Sequence, residues 1–277
     1  MSARPPMVLT AAMVGAEVTR EQTPYLPITA EEIAEDAAKC REAGAAMVHI
    51  HVRTATGAPS QDTELFRAAI RAIRRRCDVL VQVSTGGAVG MSAEERCGPL
   101  KLTGPDRPDM ATLSTGTVNF GNDVFSNPRP LIREIATRIK TLGLKPELEC
   151  FDVGMIDEAR ALEKEGFISL PAHFDFVLGV GGALAASPEA LDFMRSYIPA
   201  GSTWTCAAMG RHQLPFVELS AERGGNARVG LEDNIFLSKG VLAKGNHELV
   251  ADAAKRAQAR GRRLATPQEA RELLRLG

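Results

Sequence analysis

The sequence predicts an α/β fold, a single (β/α)8 TIM barrel domain over residues 1–277, from three observations. Apolar, β-rich runs alternate with helical patterns along the whole chain, without a linker or a break in composition. The length of 277 residues suits such a barrel, which typically needs about 250 residues. The competing architecture, an open doubly wound sheet, ordinarily carries a glycine-rich nucleotide-binding motif after its first strand. Residues 10–16 do not form such a motif, so the barrel is favoured.

Eight short runs rich in apolar and β-branched residues are the predicted strands. Runs of this kind, bounded by glycine, proline or polar residues, are typical of the buried parallel strands of a barrel. They cover residues 8–13, 47–52, 80–84, 110–113, 146–151, 175–180, 204–209 and 227–229.

The segments between these strands carry helical signals. Thr29 and Glu32 form a capping box before the first helix, and Gly44 ends that helix. Pro188 lies in the first turn of another helix, a position that proline favours. The predicted helices cover residues 30–43, 62–76, 128–142, 156–165, 215–223, 246–260 and 267–276, with a short helix beginning at 92 and a further helix at 187.

The composition excludes several classes of function. With 33 Lys+Arg against 34 Asp+Glu, the net charge is −1, so the chain lacks the basic surface that nucleic-acid binding requires. The longest nearly apolar run, residues 176–186, is interrupted by glycines and is shorter than the roughly 18 residues of a membrane span. Residues 1–6 lack the apolar core of a signal peptide, and the five cysteines form no C-x-x-C pair. We therefore expect a cytoplasmic protein with reduced thiols that binds neither nucleic acid nor membrane.

His49 and His51 form the most informative motif. On a strand, residues i and i+2 face the same side, so both imidazoles should point into the mouth of the barrel. Barrel active sites lie at the C-terminal ends of the strands, and two adjacent imidazoles are good ligands for a divalent metal such as zinc. The alternative is that one is a hydrogen-bonded core histidine and the other is incidental. Arg53 continues the same face, either as a substrate-facing cation or as a solvated residue.

A third metal ligand is expected from Glu232, which follows the predicted eighth strand. In a closed barrel the first strand lies between the eighth and the second, so Glu232 can approach the histidine pair. Two histidines and one carboxylate leave one coordination position open, as a catalytic zinc requires. Alternatively, Glu232 and Asp233 simply cap the helix that follows.

Other polar groups lie near the same end of further strands, and their convergence is informative. Glu147 and Glu149 share one face of the fifth strand, where a buried carboxylate is costly unless it is paired or faces a ligand. Glu17 follows the first strand, and Ser84 precedes a glycine turn whose N–H groups could hold a carboxylate. Thr112 lies on the fourth strand. Each of these residues could instead be a cap, a turn residue or a paired surface charge.

These residues alone leave several functions open. Binuclear hydrolases with a barrel fold also use an H-x-H pair, but usually on the first strand and with further histidines downstream. Here His173, His212 and His247 remain, and none falls clearly at the C-terminal end of a predicted strand. A metal-dependent aldolase or hydrolase, or a metal-binding protein without turnover, stays possible at this point.

Two specific motifs, H-x-H-x-R at residues 49–53 and G-L-E-D-N-I-F at residues 230–236, narrow the choice. With them, the chain resembles the β-keto acid cleavage enzyme family almost from end to end. The other matching segments are residues 10–20, 26–29, 82–90, 110–113, 116–121 and 176–180.

The resemblance implies a (β/α)8 barrel that binds one Zn²⁺ through His49, His51 and Glu232. It implies an acyltransferase reaction in which a β-keto acid and the co-substrate acetyl-CoA give acetoacetate and a new acyl-CoA. The expected β-keto acid is 3-keto-5-aminohexanoate from lysine degradation, with 3-aminobutanoyl-CoA as the product. Barrels of this kind often assemble into oligomers, so a homo-oligomer is expected.

The resemblance also implies roles for residues at matching positions. Asp233 and Arg228 match a base dyad, and Glu149 matches a polar participant in catalysis. Glu17 matches the residue that recognises an amino-bearing substrate, in line with charge pairing. The expected substrate-binding residues are Ser84, Gly87 and Thr112.

One position departs from the family pattern. The family tends to have serine after the tryptophan of the seventh strand, and this chain has Thr205 after Trp204. We expect this segment to line the pocket for the acyl chain, so the substrate accepted here could differ from the one named above.

Overall fold

The computed structural model describes residues 4–277 and contains a closed barrel of eight parallel strands. Each strand pairs with the strands before and after it in the chain, and β1 also pairs with β8 to close the barrel. The predicted barrel fold is therefore confirmed. The strands are β1 Leu9–Ala12, β2 Met47–Ile50, β3 Leu80–Val83, β4 Met110–Ser114, β5 Lys145–Cys150, β6 His173–Leu178, β7 Thr203–Ala208 and β8 Asn226–Val229.

Helices follow the strands and cover the outside of the barrel. The capping box before α1 is present, with Thr29 accepting from the N–H of Glu32, and Gly44 ends the helix in the left-handed conformation. The helices are α1 Ala30–Ala43, α2 Thr63–Arg76, α3 Ala93–Arg96, α4 Arg129–Thr141, α5 Val153–Lys164, α6 Pro188–Tyr197, α7 Gln213–Arg223, α8 Asn246–Ala259 and α9 Pro267–Leu274.

Several predicted boundaries differ from the observed ones, most clearly those of β6 and α5. Strand β6 begins at His173 and ends at Leu178, two residues earlier at each end than the predicted 175–180. The sequence pattern put the polar His173 outside the strand, whereas its side chain is buried against Glu147. Helix α5 begins at Val153 rather than at 156, because the Asp152 side chain accepts from the N–H of Gly154 and caps the helix there.

Residues 4–277 also contain three short antiparallel hairpins outside the barrel, which the sequence pattern does not predict. Their strands have two or three residues, too few for a hydrophobic period to show. They pair Val52–Arg53 with Pro59–Ser60, Val118–Phe120 with Asp123–Phe125, and Phe236–Ser238 with Val241–Leu242.

The two ends of the barrel differ. At the N-terminal end, the inward side chains of Met47, Leu80 and Met110 pack with Ala270 and Leu274 of α9 in one apolar cluster. This apolar cluster fills the barrel interior at that end. None of the helices between residues 4 and 277 is both long and apolar enough to cross a membrane. Residues 1–3, part of the segment 1–6 in which no signal-peptide core is predicted, lie outside the described residues.

Candidate active site

A cavity of about 190 Å³ opens at the C-terminal ends of the strands. Its lining contains both polar and apolar side chains. The polar lining consists of Glu17, His51, Ser84, Glu149, Arg228, Glu232 and Asp233. The apolar lining consists of Val89, Phe120, Phe125, Phe151, Val177, Val180 and Met209.

His49, His51 and Glu232 come together at one side of this cavity. Strands β2 and β8 both pair with β1, which brings the end of β2 beside the loop after β8. The Nε2 atoms of His49 and His51 each lie 3.6 Å from Oε1 of Glu232. Burial lowers the pKa of His51 to about 4, which favours the neutral, metal-binding form of its ring.

The three side chains fit a divalent metal. Within the described chain, the buried Nε2 of His49 and Oε2 of Glu232 have no hydrogen-bond partner. Buried polar atoms are normally paired, and two imidazole nitrogens with one carboxylate oxygen are a ligand set that zinc favours. The structure therefore brings the three predicted ligands together, and their binding of a metal stays a prediction.

Arg228 connects Glu232 to Asp233. Its guanidinium donates two bonds of 2.8 Å to the carboxylate of Asp233 and one of 2.5 Å to Glu232. Burial alone would lower the pKa of Arg228, but these carboxylates raise it well above its usual value, so Arg228 stays charged. Burial raises the pKa of Asp233, and Arg228 opposes that rise. For Glu232, burial is outweighed mainly by Arg228 and His49, and its pKa is about 2.

Glu149 reaches the cavity from β5. Its Oε2 accepts a 2.5 Å hydrogen bond from the Ser114 hydroxyl, and burial raises its pKa. Asp175 lies beside it on β6 and is fully buried. Its nearest cation is Arg228, at 4.0 Å, and neither carboxyl oxygen has a hydrogen-bond partner among residues 4–277. The sequence pattern places Asp175 at the first residue of β6, two residues late, and so does not predict that it faces the interior.

The glycine turn after β3 contributes Ser84 and Gly87 to the cavity wall. The Ser84 hydroxyl accepts from the N–H of Gly86, and Gly87 has a φ of +64°, which glycine adopts easily. Thr112 is placed differently. Its hydroxyl accepts from the N–H of Thr85 behind the turn, and it is absent from the described residues that line the cavity. Thr112 thus supports the turn that carries Ser84.

Glu17 lies at the solvent-exposed edge of the cavity, in the loop after β1. Arg53 is buried and holds this loop, donating two bonds to the carbonyl of Gly15 and one to that of Val18. The sequence leaves two alternatives for Arg53, a substrate-facing cation or a solvated residue. The structure shows neither. Arg53 braces the segment that presents Glu17.

The segment after Trp204 contributes only in part to the cavity. Met209 lines it, whereas the Thr205 hydroxyl lies 3.1 Å from Nε2 of His173 inside the barrel. The difference from the family at Thr205 therefore bears on the barrel interior rather than on the cavity wall.

Comparison with known proteins gives concordant results. The sequence model of the β-keto acid cleavage enzyme family matches residues 6–276. A relative from Fusobacterium nucleatum, "3-keto-5-aminohexanoate cleavage enzyme", is 50% identical over 272 residues, which cover 98% of both chains. A relative from Cupriavidus necator, "3-oxoadipate:acetyl-CoA acetyltransferase", is 40% identical and covers 97% of this chain and 94% of its own.

Among solved structures, the apo structure of ObcA superposes with a TM-score of 0.79 at 22% identity. The match covers 92% of this chain but 66% of that chain, so ObcA is the longer protein. At this identity the likeness concerns the fold alone, and it agrees with the closed barrel. The family match, by contrast, spans nearly the whole sequence and includes all the cavity residues described above. The chain belongs to the β-keto acid cleavage enzyme family.

Proposed function

We propose that this protein is a zinc-dependent acyltransferase that converts a β-keto acid and acetyl-CoA into acetoacetate and a new acyl-CoA, with 3-keto-5-aminohexanoate as the β-keto acid. The observation that carries the proposal is the contact of the His49–His51–Glu232 cluster with the Arg228–Asp233 pair in one cavity. The names of the relatives from Fusobacterium and Cupriavidus support the substrate and the co-substrate.

The first requirement of this chemistry is a proton acceptor near carbon 2 of the β-keto acid. Asp233 faces the cavity and is held by two hydrogen bonds from Arg228, so its carboxylate has one fixed orientation. Burial brings its pKa upward, toward the range in which a carboxylate is an effective general base. A zinc ion held by His49, His51 and Glu232 would supply a Lewis acid for the keto oxygen of the substrate.

The carbon–carbon chemistry then needs no covalent bond to the enzyme. Carbon 2, after losing its proton to Asp233, attacks the thioester carbon of acetyl-CoA, and the CoA thiolate leaves. The thiolate attacks the original keto carbon, and the bond from that carbon to carbon 2 breaks. Carbon 2 takes a proton back from Asp233, which releases acetoacetate and the new acyl-CoA. Glu149, hydrogen-bonded by Ser114, is the polar group that faces these steps from β5.

Glu17 and the apolar wall suit the proposed substrate. Glu17 is exposed at the cavity edge, where its carboxylate can pair with the ammonium group of 3-keto-5-aminohexanoate. The N–H of Gly87 lies in the cavity wall beside Ser84 and can donate to the substrate carboxylate, whereas that of Gly86 is already bonded to the Ser84 hydroxyl. The alkyl part of the acyl chain then faces side chains such as Phe125 and Val177.

A substrate screen tests the proposal. The zinc-loaded protein is given 3-keto-5-aminohexanoate, 3-oxoadipate or a neutral 3-oxo acid of the same length, each with and without acetyl-CoA. We expect acetoacetate and acyl-CoA to form only when acetyl-CoA is present, and to form fastest from 3-keto-5-aminohexanoate. Consumption without acetyl-CoA would identify a hydrolase or an aldolase instead. If none of the acids is consumed, the alternative of a metal-binding protein without turnover would be favoured. A preference for the neutral acid would refute the role of Glu17.

A further inference from the structure

A line of buried polar side chains crosses the barrel interior from His49 to β6. Nδ1 of His49 lies 2.7 Å from Oε1 of Gln82 on β3, and Nε2 of Gln82 donates to Oε1 of Glu147 at 2.9 Å. Oε2 of Glu147 lies 3.0 Å from Nε2 of His173, a contact without the alignment of a hydrogen bond. All four side chains are at most 1% exposed. Gln82, Glu147 and His173 are outside the set of described residues that line the cavity, and none of the proposed chemical steps uses them.

The chemistry of these groups determines which atom donates and which accepts in each contact along this line. A carboxylate only accepts hydrogen bonds, so Gln82 must turn its NH₂ group toward Glu147 and its carbonyl oxygen toward His49. An amide oxygen also only accepts, so Nδ1 of His49 must carry the hydrogen. In the neutral ring this leaves the lone pair on Nε2, the atom that faces Glu232.

Glu147 fixes these donor and acceptor roles only while it stays a carboxylate. A buried carboxylate is costly unless a cation or several donors face it. Here Gln82 donates to Oε1 of Glu147, and the ring of His173 lies against Oε2. Nδ1 and Nε2 of His173 are 2.8 Å and 3.1 Å from the hydroxyls of Thr203 and Thr205. Burial raises the pKa of Glu147, but His173 outweighs burial and brings the pKa below its ordinary value.

We propose that Glu147 and His173 are positioning residues for the metal centre, because they orient Gln82 and through it the Nδ1–H tautomer of His49. This inference rests on the proposed function, in which His49 is a zinc ligand. Partners that fix the tautomer of a metal-binding histidine typically contribute about 10- to 100-fold to metal affinity.

The test is the dissociation constant of Zn²⁺ for the metal-free protein, measured by competition with a chromophoric chelator. In Glu147→Gln, position 147 can donate as well as accept, so Gln82 can flip and present its NH₂ group to His49. We expect zinc to bind at least about 10-fold more weakly. In the double variant Gln82→Glu/Glu147→Gln, the carboxylate at 82 accepts from both His49 and the amide at 147. The double variant is therefore expected to regain most of the affinity.

Thr10→Val is the matched control. Thr10 is also buried in the barrel, and its hydroxyl has no hydrogen-bond partner within residues 4–277, so this isosteric change should leave zinc affinity as it is. Melting curves of the metal-free variants separate folding from metal binding, because a loss due only to unfolding would not be reversed in the double variant.

Two results would overturn the proposal: wild-type affinity in Glu147→Gln, or a double variant that binds zinc no more tightly than Glu147→Gln. If Glu147→Gln does not fold, the double variant still decides, since it keeps one buried carboxylate and must bind zinc nearly as the wild type does. A wild-type protein that does not bind zinc would refute the proposed function itself, and this inference with it.

Discussion

Replacing Arg228 with methionine removes the cation that the candidate site is built around. Arg228 is 5% exposed and makes three charge-assisted hydrogen bonds, two to Asp233 and one to Glu232. Methionine keeps most of the side-chain volume but leaves both carboxylates buried without that cation. The protein should therefore be destabilised even when no metal is present.

The magnitude follows from the burial of the ion pairs. Breaking a buried pair by removing one partner costs about 3–5 kcal/mol, because a charge is left uncompensated. For a chain of this size, 1 kcal/mol corresponds to roughly 2–4 °C in the melting midpoint. We therefore expect the midpoint of Arg228→Met to fall by roughly 6–20 °C at pH 7.

The loss should depend on pH with a definite sign. Without Arg228, the folded-state pKa of Asp233 rises further above its already raised value, and Glu232 loses the main partner that keeps its pKa at about 2. Groups whose folded pKa is raised cost stability above their unfolded pKa and cost nothing below it. The deficit should thus shrink as the pH falls from 7 toward 4, where the carboxyl groups of the variant take up protons.

The assay is thermal unfolding in the presence of a chelator at pH 5 and pH 7, with Arg262→Met as the control. Arg262 is 2% exposed, and its only hydrogen-bond acceptors among residues 4–277 are the carbonyls of Ala221 and Gly225, so its loss leaves no carboxylate without a cation. Its deficit should be smaller and the same at both pH values. Equal, pH-independent deficits in the two variants, or a deficit of Arg228→Met that shrinks as the pH rises, would refute the electrostatic reasoning.

Three further predictions follow from the same geometry. Asp233→Asn should keep zinc but lose about 10²- to 10⁴-fold in kcat, and a full rate in the zinc-loaded variant would exclude Asp233 as the base. The rate of the wild-type protein should fall as the pH drops through the raised pKa of Asp233. Glu17→Gln should raise KM for the cationic substrate by at most about fivefold, because an exposed charge pair contributes little, and should leave KM for a neutral 3-oxo acid unchanged. Gly225→Ala would place a Cβ 2.2 Å from the ring of Trp204 and should cost about 1–3 kcal/mol in unfolding experiments; Gly181→Ala is its control, since a Cβ there meets no described atom within 4 Å.

Much of the fold could be predicted from the sequence because each signal is local. The capping box at Thr29 and Glu32 and the alternation of apolar runs depend on neighbours a few residues apart. The inward direction of His49 and His51 follows from the two-residue period of a strand. Where the local signal was polar, as at His173, the predicted strand began two residues too late, because only the partner on the neighbouring strand makes burial of that imidazole favourable.

The candidate site shows the same division between local and distant interactions. The sequence by itself determined the family, the barrel and the two histidines on one strand face, since these depend on motifs and on periodicity. Only the tertiary structure decided how Glu232 meets those histidines, how Arg228 holds Asp233, and how Gln82 joins His49 to Glu147. The physical reason is barrel closure: strand periodicity sets the face of each side chain, whereas the distances across the interior depend on the register of all eight strands.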